Sequence, residues 1–126
     1  MTTEIKHFDR PFEITLAPNA VIGNNIAVVA LDKDADFWWD AVKCSFTGLP
    51  FGVIFTDPSR YQLSPDYLDS SAFVASTVGV GSVYTLDPPI WCPAGSSITM
   101  QLKELSGNTN GPIQFLFTGR KQFQLA

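Results

Sequence analysis

The chain has 126 residues and a formal net charge of −4; 45% of its residues are hydrophobic and 16% are charged. This composition excludes the apolar-poor, charge-rich class of disordered chains, and the length suits one domain with one core. The eight basic residues are scattered except for the pair Arg120 and Lys121, so we expect no nucleic-acid partner, which would need a clustered basic surface.

The first ten residues differ in composition from the rest of the chain. Residues 1–10 are polar, mixed in charge and without a hydrophobic period, and they end at Pro11. This pattern predicts a short N-terminal arm, followed by a single domain over residues 11–126. Such a segment is often only a frayed terminus, but Ile5 and Phe8 are unusual in a terminus that touches nothing and indicate an arm that contacts a partner.

The first half of the domain consists of alternating or β-branched runs, which indicate β-strands. The predicted strands in this half cover residues 12–17, 20–31, 37–46 and 51–55. The second of these is either a hairpin or one strand with a bulge. Residues 57–71 are rich in Pro, Asp and Ser and predict a long surface loop. Residues 72–80 fit a strand or a short helix.

The C-terminal part has the clearest pattern. Apolar residues recur at every second position over residues 98–102 (Ile98, Met100, Leu102) and again over residues 113–117 (Ile113, Phe115, Phe117), and the turn-forming sequence SGNTNGP lies between them. This arrangement predicts the closing hairpin of a sandwich. With no long amphipathic helix in the pattern, the chain is predicted to be all-β: an antiparallel, jelly-roll-like β-sandwich of seven or eight strands.

Two cysteines, Cys44 and Cys92, lie inside apolar runs. Free Cys packs as a small hydrophobe, so we expect two buried free thiols, with a bridge between them as the alternative. The N-terminus lacks the apolar core of a signal peptide, which favours a reducing compartment. No apolar run approaches the roughly eighteen residues of a membrane span, so we expect no membrane partner.

Few residues suggest catalysis or metal binding. His7 is the single histidine and lies in the predicted arm, which disfavours a zinc site or a Ser-His-Asp triad. Residues 32–36, DKDAD, begin like a calcium loop, but Phe37 replaces the sharp-turn Gly and Lys43 the bidentate Glu. We therefore expect a plain Asp-rich turn, with a non-helical calcium site as the alternative. The prediction is a non-enzymatic protein with no metal or cofactor.

Aromatic residues carry the main signal for binding. Trp38 and Trp39 are adjacent in a predicted strand, so their side chains point to opposite faces and only one of them belongs to the core. The other is either covered by another element of the domain or presented to a partner, and the arm and the long loop add further aromatic or apolar residues that could be exposed. The candidate interface residues are Ile5, Phe8, Phe12, Phe37, Trp38, Trp39, Tyr61 and Tyr67.

The segment PIWCPAGSSITMQL at residues 89–102, followed by IQFLFTGRKQF at residues 113–123, resembles small structural proteins of tailed bacteriophages. In these proteins a Pro-Ala-Gly-Ser turn opens one alternating strand, and a strand ending in Gly-Arg-Lys-aromatic closes the domain. The family is the class of jelly-roll capsid cement or decoration proteins, which includes head cement proteins of podophages.

This resemblance implies a virion protein without catalytic residues. It implies binding to the outer surface of an assembled capsid, as a homo-dimer or homo-trimer that ties neighbouring copies of the major capsid protein together. It also implies assembly in the bacterial host cytoplasm and a final location on the capsid surface. The alternative is a carbohydrate-binding β-sandwich that uses Trp38 or Trp39, Trp91 and the loop from Tyr61 to Tyr67.

Overall fold

A computed structural model describes residues 2–21, 25–46, 48–73 and 83–125. Its strands are β1 (Thr2–Leu16), β2 (Ile26–Ala30), β3 (Asp36–Ser45), β4 (Phe51–Thr56), β5 (Leu68–Asp69), β6 (Val83–Cys92), β7 (Ser97–Glu104) and β8 (Asn110–Leu125). A short 3-10 turn, Ser70–Phe73, follows β5. Most of the segment predicted as a strand or helix, residues 74–80, lies outside the described residues. Within the described ranges, no helix has the length and hydropathy of a membrane span.

The strands form two antiparallel four-stranded sheets. One sheet has the order β1-β8-β3-β6 and the other the order β2-β7-β4-β5. This pairing of first with last strand and second with seventh is the strand order of a jelly roll, in which two Greek keys face each other. The prediction of an all-β, antiparallel sandwich of the jelly-roll type is therefore confirmed, and the described part of the chain has eight strands where seven or eight were predicted.

The core lies between the inner faces of the two sheets, where every second residue of each strand points inward. The apolar positions of β7 and β8 that define the two alternating runs are all fully buried, and these residues are Ile98, Met100, Leu102, Ile113, Phe115 and Phe117. Aromatic rings join the sheets edge to face: Phe55 lies 6.0 Å from Trp39 and 6.0 Å from Phe117, centroid to centroid. Such pairs add specific geometry to the burial of apolar surface.

The prediction of a closing hairpin was wrong, although the positions of its two strands were right. β7 pairs with β2 and β4, whereas β8 pairs with β1 and β3. The segment between them therefore crosses from one sheet to the other. An alternation of apolar residues along a strand shows which side chains face the core. Two strands in opposite sheets have the same alternation as two paired strands of one sheet, so the pattern does not distinguish the two arrangements.

The prediction of a separate arm over residues 1–10 was also wrong. β1 runs without a break from Thr2 to Leu16 and pairs with β8 along its length, from Thr2 opposite Leu125 onward. An edge strand is held by backbone hydrogen bonds on one side, and its outward face tolerates polar residues. Phe8 packs against the core from this strand, so residues 2–10 belong to the sandwich.

Cys44 and Cys92 are free thiols, as expected. Burial raises the pKa of each thiol to about 12, and the negative charge of Asp57 adds to the effect at Cys92. Both therefore stay protonated at neutral pH. Free cysteines with such pKa values are inert packing residues rather than nucleophiles.

Candidate binding surface

A row of four side chains crosses the outer face of the first sheet, one from each strand. The register places His7 of β1 opposite Arg120 of β8, Arg120 opposite Trp38 of β3, and Trp38 opposite Trp91 of β6. Directly opposed residues on one face of a sheet lie close enough to interact. Residues from four distant segments of the sequence therefore form one surface.

Beside this row lies a groove of about 340 Å³, which we call the Trp38 groove. Its lining residues are Ile5, Trp38, Pro88, Pro89, Arg120 and Gln122. The groove combines apolar side chains with one cationic and one amide side chain. Apolar concavities with a few polar groups are the usual form of binding sites on proteins.

Two polar contacts fix the side chains of the Trp38 groove. The Trp38 indole Nε1 donates a hydrogen bond to Gln122 Oε1 at 2.9 Å. Arg120 Nε lies 3.5 Å from Asp40 Oδ2, and both of these side chains are partly exposed. The Trp38 indole N–H is therefore satisfied within the groove, and this hydrogen bond favours one orientation of the ring.

Large apolar side chains extend from this surface into solvent. Ile5 is 57% exposed and Trp91 is 51% exposed. A single exposed apolar residue is ordinary, but an exposed Trp directly opposite another Trp in the same sheet forms an apolar patch. Such patches with polar rims are typical of protein-interaction or ligand-binding sites.

A second depression adjoins the Trp38 groove on the far side of β6. It has a volume of about 440 Å³, includes Tyr61, Tyr84 and Asp57, and shares Pro88 and Pro89 with the groove. Asp57 Oδ1 accepts hydrogen bonds from the N–H groups of Ser59 and Tyr61, each at 2.9 Å, and so shapes the turn that carries Tyr61. Pro88 and Pro89 therefore line both depressions.

The structure brings together part of the predicted interface and separates the rest. Ile5 and Trp38 line the same groove, and Tyr61, which is 67% exposed, lines the adjoining depression. Phe8 and Phe12 are partly buried and pack against the core. Three of these five predicted residues therefore lie along the connected surface, and the other two support the sheet from its inner side.

The assignment of Phe37 and Trp39 to the interface was wrong. Their relative exposures are 2% and 0%, because β3 turns alternate side chains inward and Trp38 is the member of the cluster that points outward. Tyr67 lies away from the groove: its ring covers Gly52, where a Cβ would collide with it, and Lys103 Nζ lies 4.6 Å from the ring centroid.

The Asp-rich turn is held by a lysine rather than arranged around a metal. Lys121 Nζ, on a side chain that is 8% exposed, donates to Asp32 Oδ2 at 2.8 Å and to Asp34 Oδ1 at 3.0 Å. Asp36 turns away and accepts a hydrogen bond from the Ala94 N–H at 3.0 Å. The three carboxylates therefore do not converge, and in the described part of the chain no group of three metal-ligating side chains occurs.

The ion pair between Lys121 and Asp32 shifts the pKa of both groups. The hydrogen bond from Lys121 and its positive charge lower the pKa of Asp32. Burial acts to lower the pKa of Lys121, but the hydrogen bonds to Asp32 and Asp34 outweigh it and the pKa is raised. The Phe8 ring centroid lies 3.8 Å from Lys121 Nζ, which adds a cation–π contact. These interactions fit the interpretation of a structural turn.

Sequence reasoning missed the polar residues and prolines of the Trp38 groove: Arg120, Gln122, Pro88 and Pro89. In β8 the exposed Arg120 and the half-buried Gln122 flank the buried Lys121, so burial alternates along this segment. The pattern did not indicate which strands lie on either side of β8. That information comes only from the register.

No family model matches the chain, and a search of curated proteins found no match. The surface must therefore be interpreted from its own chemistry.

Proposed function

We propose that the protein is a virion structural protein without enzymatic activity, which binds the outer surface of an assembled phage capsid and cements neighbouring copies of the major capsid protein. The observation that carries the proposal is the exposed aromatic surface formed by the Trp38 groove and Trp91 on the rigid first sheet. The resemblance of residues 89–123 to jelly-roll cement proteins supports the same conclusion.

The composition of this surface suits a protein partner. Trp and Arg are among the residue types most enriched at the positions that dominate binding energy in protein interfaces. Trp38, Trp91 and Arg120 lie side by side in one row across three strands. Because strands rather than loops present them, little conformational entropy is lost on binding.

A capsid can be bound firmly by a protein whose contact with each single site is small. The shell repeats the same sites by symmetry, so an oligomer that engages two of them gains avidity from the high effective concentration of the second site. A protein that binds at such repeated positions links neighbouring subunits. Its location would then be the capsid surface of the mature virion.

Copurification tests the proposal. Capsid particles of the virus that encodes the chain are purified on a density gradient, and the copy number of the chain per major capsid protein is measured by quantitative mass spectrometry. We expect a fixed stoichiometric ratio that persists through a second gradient. Particles that lack the chain, or that carry it at a variable trace level, would contradict the proposal.

A second candidate function is glycan binding, and the Trp38 groove favours it specifically. The indole of Trp38 shares the groove with Arg120 and Gln122, whose side chains are suited to hydrogen bonding with sugar hydroxyls. A glycan array with wild-type protein and the Trp38→Ala variant separates the two functions. Binding that disappears in the variant supports this candidate, and binding to no glycan removes it.

A further inference from the structure

Among the described strands, the four at the sheet edges are not protected equally. Edge strands expose unpaired backbone groups, and proteins usually block them with charges, prolines or very short strands. β1 carries charged residues such as Lys6 and Asp9, β6 contains Pro88 and Pro89, and β5 is two residues long. β2, with the sequence IAVVA, has none of these features.

The backbone groups on the open side of β2 can be assigned from its bonds to β7. Leu31 N–H donates to Ser96 C=O at 2.9 Å, and Leu102 N–H donates to Asn25 C=O at 2.9 Å. In an antiparallel pair, hydrogen-bonded residues alternate with residues whose groups point the other way. The odd-numbered residues of β2 therefore bond to β7. The residues whose N–H and C=O groups point to the open edge are Ile26, Val28 and Ala30.

This edge is apolar and accessible. Ile26 is 56% exposed and Val28 is 58% exposed, and both side chains lie on the outer face of the second sheet. Arg10 Nε donates to Ala30 C=O at 3.1 Å and covers one end of the edge. In the described ranges, no contact of this kind reaches the outward backbone groups of Ile26 or Val28.

We infer that β2 is a self-association edge, at which a second copy of this chain pairs its own β2 antiparallel to this one about a two-fold axis at Val28. The two four-stranded sheets then join into one sheet of eight strands. The contact is isologous and closes at two copies, which selects a dimer over a trimer.

The sequence of β2 suits pairing with itself. Pairing about Val28 sets each Ile26 opposite Ala30 of the second copy, so a large side chain meets a small one. Val28 faces its own equivalent and exchanges both backbone hydrogen bonds with it, and at each end the Ile26 N–H of one copy replaces Arg10 Nε as the donor to Ala30 C=O of the other. No like charges are brought together, because residues 26–30 carry none.

Self-association at β2 does not rest on the proposed function. The β2 edge belongs to the second sheet, whereas the Trp38 groove lies on the outer face of the first sheet. A dimer would present two copies of the groove and so supply the avidity that capsid binding requires. Loss of self-association and loss of capsid binding can therefore be measured separately.

Light scattering after size-exclusion chromatography of the full-length protein gives the first test. We expect wild type to have twice the chain mass of 13.8 kDa across the micromolar range. Val28→Lys should be a monomer, since two charges would meet at the axis, and Tyr61→Ala should remain a dimer. A wild-type monomer, or a dimer unchanged by Val28→Lys, would overturn the inference.

Cysteine crosslinking tests the register. In Val28→Cys the two Cα atoms lie about 5.5 Å apart across the axis, within the range that a disulfide spans. In Ile26→Cys, at a site of similar exposure, the two Cα atoms lie about 14 Å apart, too far for a disulfide. Mild oxidation should therefore crosslink Val28→Cys and leave both Ile26→Cys and wild type uncrosslinked. Equal crosslinking of the two variants would refute pairing at Val28.

Discussion

Trp38 and Trp39 are neighbours in β3 whose side chains serve different purposes. Trp39 is fully buried, its Nε1 donates to Ala41 C=O at 3.1 Å, and its ring packs on Phe117 at 5.6 Å. Trp38 lines the groove on the opposite face. One position along a strand therefore decides whether an indole stabilises the fold or remains available for binding.

This contrast predicts two different effects of the same substitution. Trp39→Ala should lower the free energy of unfolding by about 3–5 kcal/mol, because it leaves a large cavity in the core. Trp38→Ala removes a partly exposed ring and should cost far less. Urea denaturation at neutral pH measures both values. An equal decrease in the free energy of unfolding for the two variants would contradict the assignment of Trp38 to the outer face and Trp39 to the core.

Glu104 shows how one carboxylate holds connections between elements together. Its Oε2 accepts hydrogen bonds from the N–H groups of Asn19 at 3.1 Å and Gly107 at 2.7 Å, and its Oε1 accepts from the N–H of Ser106 at 2.7 Å. The Ser106 hydroxyl donates to the same oxygen. Burial acts to raise the pKa of Glu104, but these hydrogen bonds lower it to about 2.

The lowered pKa predicts a pH-dependent stability. The contribution of Glu104 is present above its ordinary pKa of 4.5 and is lost as the pH falls through about 2. Glu104→Gln should be less stable than wild type at pH 7, because an amide cannot accept all these hydrogen bonds. At acidic pH the free energies of unfolding of the two proteins should become equal. Urea denaturation at a series of pH values measures the difference. A difference in the free energy of unfolding that stays constant with pH would contradict this role of Glu104.

β1 provides a test at the level of a whole element. Deleting residues 2–10 removes the strand that pairs with residues 117–125 of β8, and with it the Phe8 ring that packs on Phe37 at 5.9 Å. We therefore expect a lower melting temperature and loss of the sharp unfolding transition. Differential scanning calorimetry measures both. A truncated protein that melts like wild type would restore the interpretation of these residues as a free arm.

The elements that the sequence predicted best are those with an unbroken period of two or a continuous apolar run. β4, β7 and the core part of β8 have these patterns, and their positions were predicted closely. β1 was underestimated because the charged residues Glu4, Lys6 and Arg10 occupy the alternate positions that Phe8 shares, so no apolar period is visible before Phe12. In β3 the register shifts between Trp39 and Ala41, which explains the imperfect alternation there.

For the molecule as a whole, the candidate site could be predicted only in part. Exposed aromatic residues were expected, and Ile5 and Trp38 were among those named. The groove itself depends on pairings between distant segments, such as Ile5 with Gln122 and Trp38 with Trp91. A single sequence does not contain these pairings, because local periodicity describes faces and not neighbours.

We propose that the aromatic surface of the first sheet binds the capsid, and cosedimentation tests this most directly. The test measures cosedimentation of the protein with capsids that lack it, for wild type, Trp91→Ala and the matched control Val83→Ala, which is an exposed apolar residue of the same strand, 39% exposed. Truncation of a central interface Trp typically costs about 2 kcal/mol or more, a loss of roughly 30-fold in affinity. We expect that loss for Trp91→Ala and wild-type binding for Val83→Ala. Capsid binding by Trp91→Ala that equals wild type would contradict the claim.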